Sequence, residues 1–316
     1  MQSIHLFQIL ILKKIILYLL IVIAAGYAVR EIIYCGLREN KEGIFDKYNT
    51  IFLKKNNYET VIIGSSRAES HFSCRMIDSV LHTDSYNIGI QGASLPFALD
   101  VFNAYLANST FPENVIFNID HHINTCDNDT VFMFPRYFPY LKNKTLYKAL
   151  EKRDKRFSAF RYAPFYGLAY MGDNYFYSAM RGFFNKPGKY DLKYYKGYTS
   201  IMDVKWKYKP YYACDEDIMY NRIDSIAALC KMHHANLFLV ISPIYYKASD
   251  LILNRSALIE KLKAKAASDN IMLMDYSNDQ ISKDSTLFAD PYHLKEKGAE
   301  LFTEELTEDL KKVWKK

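Results

Sequence analysis

Short, nearly continuous apolar runs recur along the chain, and stretches with apolar positions at helical spacing lie between them. The runs are Thr60–Gly64, Ser85–Ile90, Asn114–Asp120, Asn236–Ser242 and Ile271–Asp275. Each is of strand length, and lack of polar alternation marks strands covered on both faces. Between them, Phe72, Met76, Ile77 and Val80 predict a helix over Ala68–Leu81, and further helices are predicted over Ser94–Leu106, Ile218–His233, Leu251–Ala267 and Gly298–Trp314. Strands alternating with helices predict an α/β domain with a central parallel sheet of about five strands. In open sheets of this kind, ligands bind at the carboxyl ends of the strands.

Two regions break that rhythm. From Ile15 to Val29 no charge interrupts the apolar sequence, Ile32, Ile33 and Tyr34 extend it, and Ile9–Leu12 precede it across Lys13 and Lys14. That approaches the roughly 20 residues needed to cross a bilayer. Residues 1–34 are therefore expected as a single N-terminal membrane anchor, against the rival of a cleaved signal peptide with its small-residue site at Ala24-Ala25-Gly26. Residues 35–57 are mixed in charge and read as a tether. Residues 58–316 form the main domain, with an insertion at about 123–214. Fourteen of the 27 tyrosines lie between Tyr140 and Tyr212, inside that insertion. A connection of this length is expected to fold, as a lid or substrate wall over the strand ends. Its tyrosines could stack on sugar rings, though most are expected simply to pack the insertion against the sheet.

Composition narrows the partners. The net charge of +6 is carried by singly scattered Lys and Arg, so no basic block suggests nucleic acid. Five cysteines, Cys35, Cys74, Cys126, Cys214 and Cys230, show no C-x-x-C spacing. They read as neither a zinc site nor a disulfide framework, leaving room for a single bridge. The pairs His121-His122 and His233-His234 do not read as metal ligands, because adjacent residues point in different directions. His121 or His122 could touch substrate, and the second pair should end its helix. Arg67 and Glu69 read first as a surface ion pair on the first turn, with orientation of an acidic substrate as the alternative.

Candidate chemistry begins at Gly64-Ser65-Ser66, where the first strand passes into a helix start, and is completed by Asp290-Pro-Tyr-His293 ahead of the last helix. A hydroxyl at such a turn, with a distant His and Asp, supplies a nucleophile, a base and a group to orient the base. The bland alternative is that Ser65 merely caps the helix.

With Asn87-Ile-Gly89-Ile-Gln-Gly92 between them, these blocks resemble the SGNH (GDSL-like) esterase and acyltransferase superfamily, over roughly residues 58–312. The Gly-Ser-Ser variant is similar to its membrane-anchored branch, which includes the D-alanine transfer protein of teichoic acid modification. The resemblance implies a flavodoxin-like three-layer sandwich, with Ser66 as nucleophile, His293 as base and Asp290 as its orienter. It further implies an oxyanion hole from the backbone of Ser66 and Gly92, with the Asn118 amide as a third donor. The family's Gly-x-Asn-Asp is replaced here by Phe117-Asn118-Ile119-Asp120.

The function so implied is an extracytoplasmic acyl-ester hydrolase or O-acyltransferase working on a cell-surface polysaccharide, without metal or organic cofactor. A multi-span membrane acyltransferase is the implied partner. The competing expectation is an inactive glycan-binding or polysaccharide-assembly protein that keeps only the fold.

Overall fold

The computed structural model describes residues 2–120, 129–185, 194–202 and 209–314. The expected His121-His122 pair lies outside them. The central sheet holds β1 (Thr60–Ile63), β2 (Ser85–Asn87), β3 (Asn114–Asn118), β4 (Asn236–Ile241) and β5 (Met272–Asp275), in the spatial order β2-β1-β3-β4-β5. Every neighbouring pair is parallel. This is the doubly wound order with its switch point between β1 and β3, the place where such sheets form a crevice.

The alternation of side chains builds two cores. Val61, Ile63, Phe117 and Leu239 face one layer, while Ile62, Ile116, Phe238 and Val240 face the other. The second layer is closed by the last helix, Glu296–Lys311, through Phe302 and Leu306. The first contains α5 (Leu95–Leu106) and parts of the insertion.

Where one helix was expected over Ala68–Leu81, two form: α3 (Ser66–His71) and α4 (Cys74–Leu81). The break is held by distant side chains that take up the freed backbone groups. Asn87 Nδ2 donates to the carbonyls of Ala68 at 2.7 Å and Phe72 at 3.2 Å. Thr303 Oγ1 donates to the His71 carbonyl and accepts from the Ser73 N–H.

The tether expectation is corrected. A single helix, α1 (Gln2–Glu39), runs from the apolar N-terminal segment straight into the domain, and α2 (Gly43–Phe52) follows it with Phe45, Tyr48, Ile51 and Phe52 buried. Ile44, Phe45, Tyr48, Ile51 and Phe52 make a helical stripe that the neighbouring charges disguise in sequence. The corner between the two helices is tied by Asn49 Nδ2, which donates to the carbonyl of Asn40 at 3.0 Å.

The insertion packs mainly along α1 rather than only over the strand ends. Its helix Asp173–Phe184 crosses α1 so closely that a Cβ on Gly182 would lie 1.8 Å from the Gly36 carbonyl oxygen. Only two glycines allow that approach. Asn40 Nδ2 adds a buried hydrogen bond to the Ser178 carbonyl at 2.9 Å. Tyr137, Tyr140 and Tyr198 of the insertion are buried, whereas Tyr162, Tyr177 and Tyr212 are exposed, so its tyrosines divide between packing and surface.

Candidate active site

β1 delivers Gly64, Ser65 and Ser66 at the switch point, and Ser65 occupies the N-cap of α3, its Oγ accepting from the Arg67 N–H at 3.2 Å. Capping by Ser65 leaves Ser66 as the first helical residue. Its Oγ lies 2.7 Å from His293 Nε2.

His293 is held by a local device. The hairpin of Phe288–Asp290 and His293–Leu294 sets Asp290 beside His293. Asp290 Oδ1 accepts from the backbone N–H groups of Tyr292 at 2.7 Å and His293 at 3.0 Å, while Oδ2 meets His293 Nδ1 at 2.6 Å. The spacing Asp-x-x-His lets one carboxylate fix both the backbone and the ring of the histidine. A carboxylate only accepts, so Nδ1 carries the proton and Nε2 presents its lone pair to Ser66 Oγ.

A buried network surrounds this row. Arg67, expected at the surface, is fully buried: Nη1 donates to Asp120 Oδ1 at 2.7 Å, and Nη2 donates to the carbonyls of Ser242 and Pro243. Burial, opposed by Asp120, lowers the Arg67 pKa. Asp120 Oδ2 accepts from Ser65 Oγ. Glu69 is also inside, paired at 3.1 Å with Lys47 of α2, whose Nζ donates in addition to the Gly197 carbonyl at 2.9 Å. Burial pulls the Lys47 pKa down against the pull of Glu69.

Asn118, expected as the third oxyanion donor, gives one of its two side-chain N–H groups to a neighbour. Asn118 ends β3, and its Nδ2 donates to Oδ1 of Asp120, two residues past the strand end, at 2.9 Å. Gly92 sits at φ +72°, a conformation glycine adopts freely, and Phe132 lies so close that a Cβ there would stand 2.6 Å from it. His233 ends its helix as expected, with its ring stacked on Phe111 at 4.2 Å.

His71 was not singled out in the sequence. Its Nε2 accepts the Leu294 N–H at 3.0 Å and its Nδ1 meets Ser242 Oγ at 3.0 Å, so a neutral ring joins the end of α3 to the loop carrying His293. Burial, then the charges of Arg67 and His293, hold its pKa well below the ordinary histidine value. The unfolded chain binds this proton below about pH 6.5 and the folded chain does not, so stability must fall as pH drops through that value. The expected slope reaches about 1.4 kcal/mol per pH unit, and His71→Gln should flatten it. Thermal unfolding in detergent between neutral and mildly acid pH checks this; an unchanged slope in the variant would rule His71 out as its source.

A cavity of about 270 Å³ opens at Ser66, lined by Gly43, Ile44, Glu69, Gln91, Arg136, Tyr194 and Ser200 among others. The start of α2 and two parts of the insertion therefore form its walls. Arg136 Nη1 donates to Gln91 Oε1 at 3.2 Å across it. A larger cavity of about 820 Å³ lies at the amino ends of β4 and β5 and contains none of the expected site residues. Sequence periodicity in residues 43–52 could have revealed α2 as a wall; the partners of Arg67 and Glu69 had no local signal.

No family model matches the sequence, and no curated protein matches it. Among solved structures, a candidate acylhydrolase from Bacteroides fragilis NCTC 9343 is similar at 15% identity and a TM-score of 0.42, over 82% of this chain and 88% of that one. A GDSL-like lipase from Bacteroides thetaiotaomicron VPI-5482 is similar at 14% identity and a TM-score of 0.40, over 83% and 89%. A family two carbohydrate esterase from Clostridium thermocellum, solved with cellohexaose, is similar at 10% identity and a TM-score of 0.35, over 83% and 65%. At these values the chemistry rests on the chain's own geometry: a five-stranded parallel α/β sheet with Ser66, His293 and Asp290 joined in one hydrogen-bonded row at its switch point.

Proposed function

We propose that the protein is a serine-dependent acyl-ester hydrolase or O-acyltransferase, anchored by α1 and acting outside the cytoplasm on a cell-surface polysaccharide. The observation that carries the reading is the unbroken row of Ser66 Oγ, His293 and Asp290, at 2.7 and 2.6 Å. His293 Nε2 takes the Ser66 proton as Oγ attacks the ester carbonyl, while Asp290 holds the imidazolium that forms. The backbone N–H groups of Ser66 and Gly92 would receive the oxyanion, each such donor contributing about 2.7–4 kcal/mol of barrier lowering. The ester C–O bond then breaks, His293 protonates the departing alkoxide, and the acyl group stays on Ser66. Water or a sugar hydroxyl, deprotonated by His293, attacks the acyl carbon and restores Ser66.

The cavity size supports a small acyl group, and its Glu69, Gln91, Arg136 and Ser200 lining supports a polar, hydroxyl-rich acceptor. Within Phe7–Glu39, the most apolar 18-residue window, with mean hydropathy 2.5, supports the anchor. Cys214 is disulfide-bonded, which favours an oxidising compartment, whereas Cys35, Cys74 and Cys230 carry free thiols.

Full-length protein in detergent should react with a serine-directed fluorophosphonate, and competition with an activated acetyl ester should suppress labelling. A folded sample that neither labels nor turns over the ester would favour the inactive scaffold. Adding soluble glycan acceptors to the ester assay separates the two activities: acetylated glycan marks a transferase, free acetate a hydrolase.

A further inference from the structure

The insertion meets α1 at two levels, and the lower one presents exposed aromatic side chains. Near the domain end, Gly182 and Ser178 pack on Gly36 and Asn40. About ten residues earlier, inside the uncharged run Ile15–Val29, the ring of Phe165 lies against Gly26, where a Cβ would stand 2.5 Å away. At the same level Tyr27 donates its hydroxyl to the Tyr162 carbonyl, and one turn on Arg30 donates to the Arg161 carbonyl at 2.9 Å.

The surface around this lower contact is aromatic. Tyr162 is 60% exposed, Phe165 49% and Tyr166 36%, and on α1 Ile23 and Val29, three residues either side of Gly26, are exposed as well. Arg30, Glu31 and Lys142 gather just above, with Lys142 Nζ 3.0 Å from Glu31. Aromatic residues at the level where an apolar helix gives way to charge are the pattern of a membrane interface.

We infer that the segment Tyr162–Tyr166 is a membrane foot: it docks its aromatic side chains into the interfacial layer of the same bilayer that α1 crosses. This rests on the reading of α1 as a span. If residues 15–29 lie in hydrocarbon, a side chain packed on Gly26 cannot stay in bulk water. The foot gives the domain a second point of contact beside α1, which prevents it from swinging about the helix axis. Interfacial burial of these aromatic faces, continuous with the surface of α1, is what the exposed cluster is for.

The test uses full-length protein in phosphatidylcholine and phosphatidylglycerol vesicles, with Cys35→Ser removing the exposed thiol. An environment-sensitive fluorophore is attached singly at Leu20→Cys, Tyr162→Cys, Phe165→Cys and Tyr246→Cys, the last beyond the carboxyl end of β4. Quenching by lipids carrying a nitroxide near the head-group end of the acyl chain, and by aqueous iodide, is then read. The expected result is lipid quenching at positions 162 and 165 with loss of iodide quenching, and the reverse at 246. Lipid quenching at 20 alone, with 162 and 165 open to iodide, overturns the foot while leaving the span intact. No lipid quenching at 20 shows instead that the span reading fails, and the foot falls with it. Two independent foot positions guard against one label disturbing the packing on Gly26.

Discussion

Ser66→Ala should lose the acyl-enzyme altogether, and with it about 10³-fold or more of ester turnover, while the fold survives. The side chain is small and its hydroxyl bonds only toward His293, so its removal leaves no buried group stranded. Ser65→Ala should behave differently. Ser65 Oγ caps α3 at the Arg67 N–H and donates to Asp120, and neither bond reaches the reacting atoms. Its loss should cost about 0.5–2 kcal/mol of stability with activity partly kept. Intact-protein mass after incubation with an activated acetyl ester, followed by fragmentation of the peptide ending at Arg67, distinguishes the two hydroxyls. An acyl mass retained in Ser66→Ala and missing in Ser65→Ala would move the nucleophile to Ser65.

The largest stability effect is expected at Asp120→Ala. Arg67 is fully buried and Asp120 is its carboxylate partner at 2.7 Å, so the substitution leaves a guanidinium charge in the interior with only two carbonyls to face it. Breaking a buried pair from one side typically costs about 3–5 kcal/mol. The double variant Arg67→Met/Asp120→Leu should recover much of that loss, because it removes both charges together. Full recovery is not expected: the Ser242 and Pro243 carbonyls lose their donor. Denaturant midpoints for both variants in the same detergent decide the matter. A cost for Asp120→Ala below about 1 kcal/mol, the range of exposed pairs, would show that water reaches the pair.

What could be read from sequence follows from how local each device is. The strands announce themselves as continuous apolar runs, and Asp290 and His293 are three residues apart because a single carboxylate grips backbone and ring within one turn. The pairing of Ser66 with His293 needed the family resemblance, since 227 residues separate them. The partners of Arg67, Lys47 and His71 have no local signal, because a polar residue looks the same in sequence whether it faces water or a partner distant along the chain. Asn118 is open for a different reason: Asp120, two residues past the end of β3, takes one N–H of its amide. Residues 35–57 read as a tether because Arg38, Glu39, Lys41 and Glu42 precede the short apolar stripe of α2, and Asp46 and Lys47 interrupt it.

For the membrane-anchored acyl-ester enzyme proposed above, the absence of that tether would set the working radius. A flexible linker of 23 residues would let the catalytic domain roam with an r.m.s. reach of roughly 25–30 Å, sampling acceptors at many heights above the lipid. The unbroken α1 works instead as a ruler. From Arg30 to Glu39 it rises about 14 Å, and the pocket wall begins at Gly43 after the Asn49-tied corner. If α1 spans the bilayer as proposed, Ser66 would thereby be held in one thin shell above the membrane. On that reading, acceptor hydroxyls that pass through this shell would meet Ser66 at high effective concentration, and those farther out along a polymer would meet it only when the polymer bends back. Such geometry would favour modification of chains while they are still attached near the membrane.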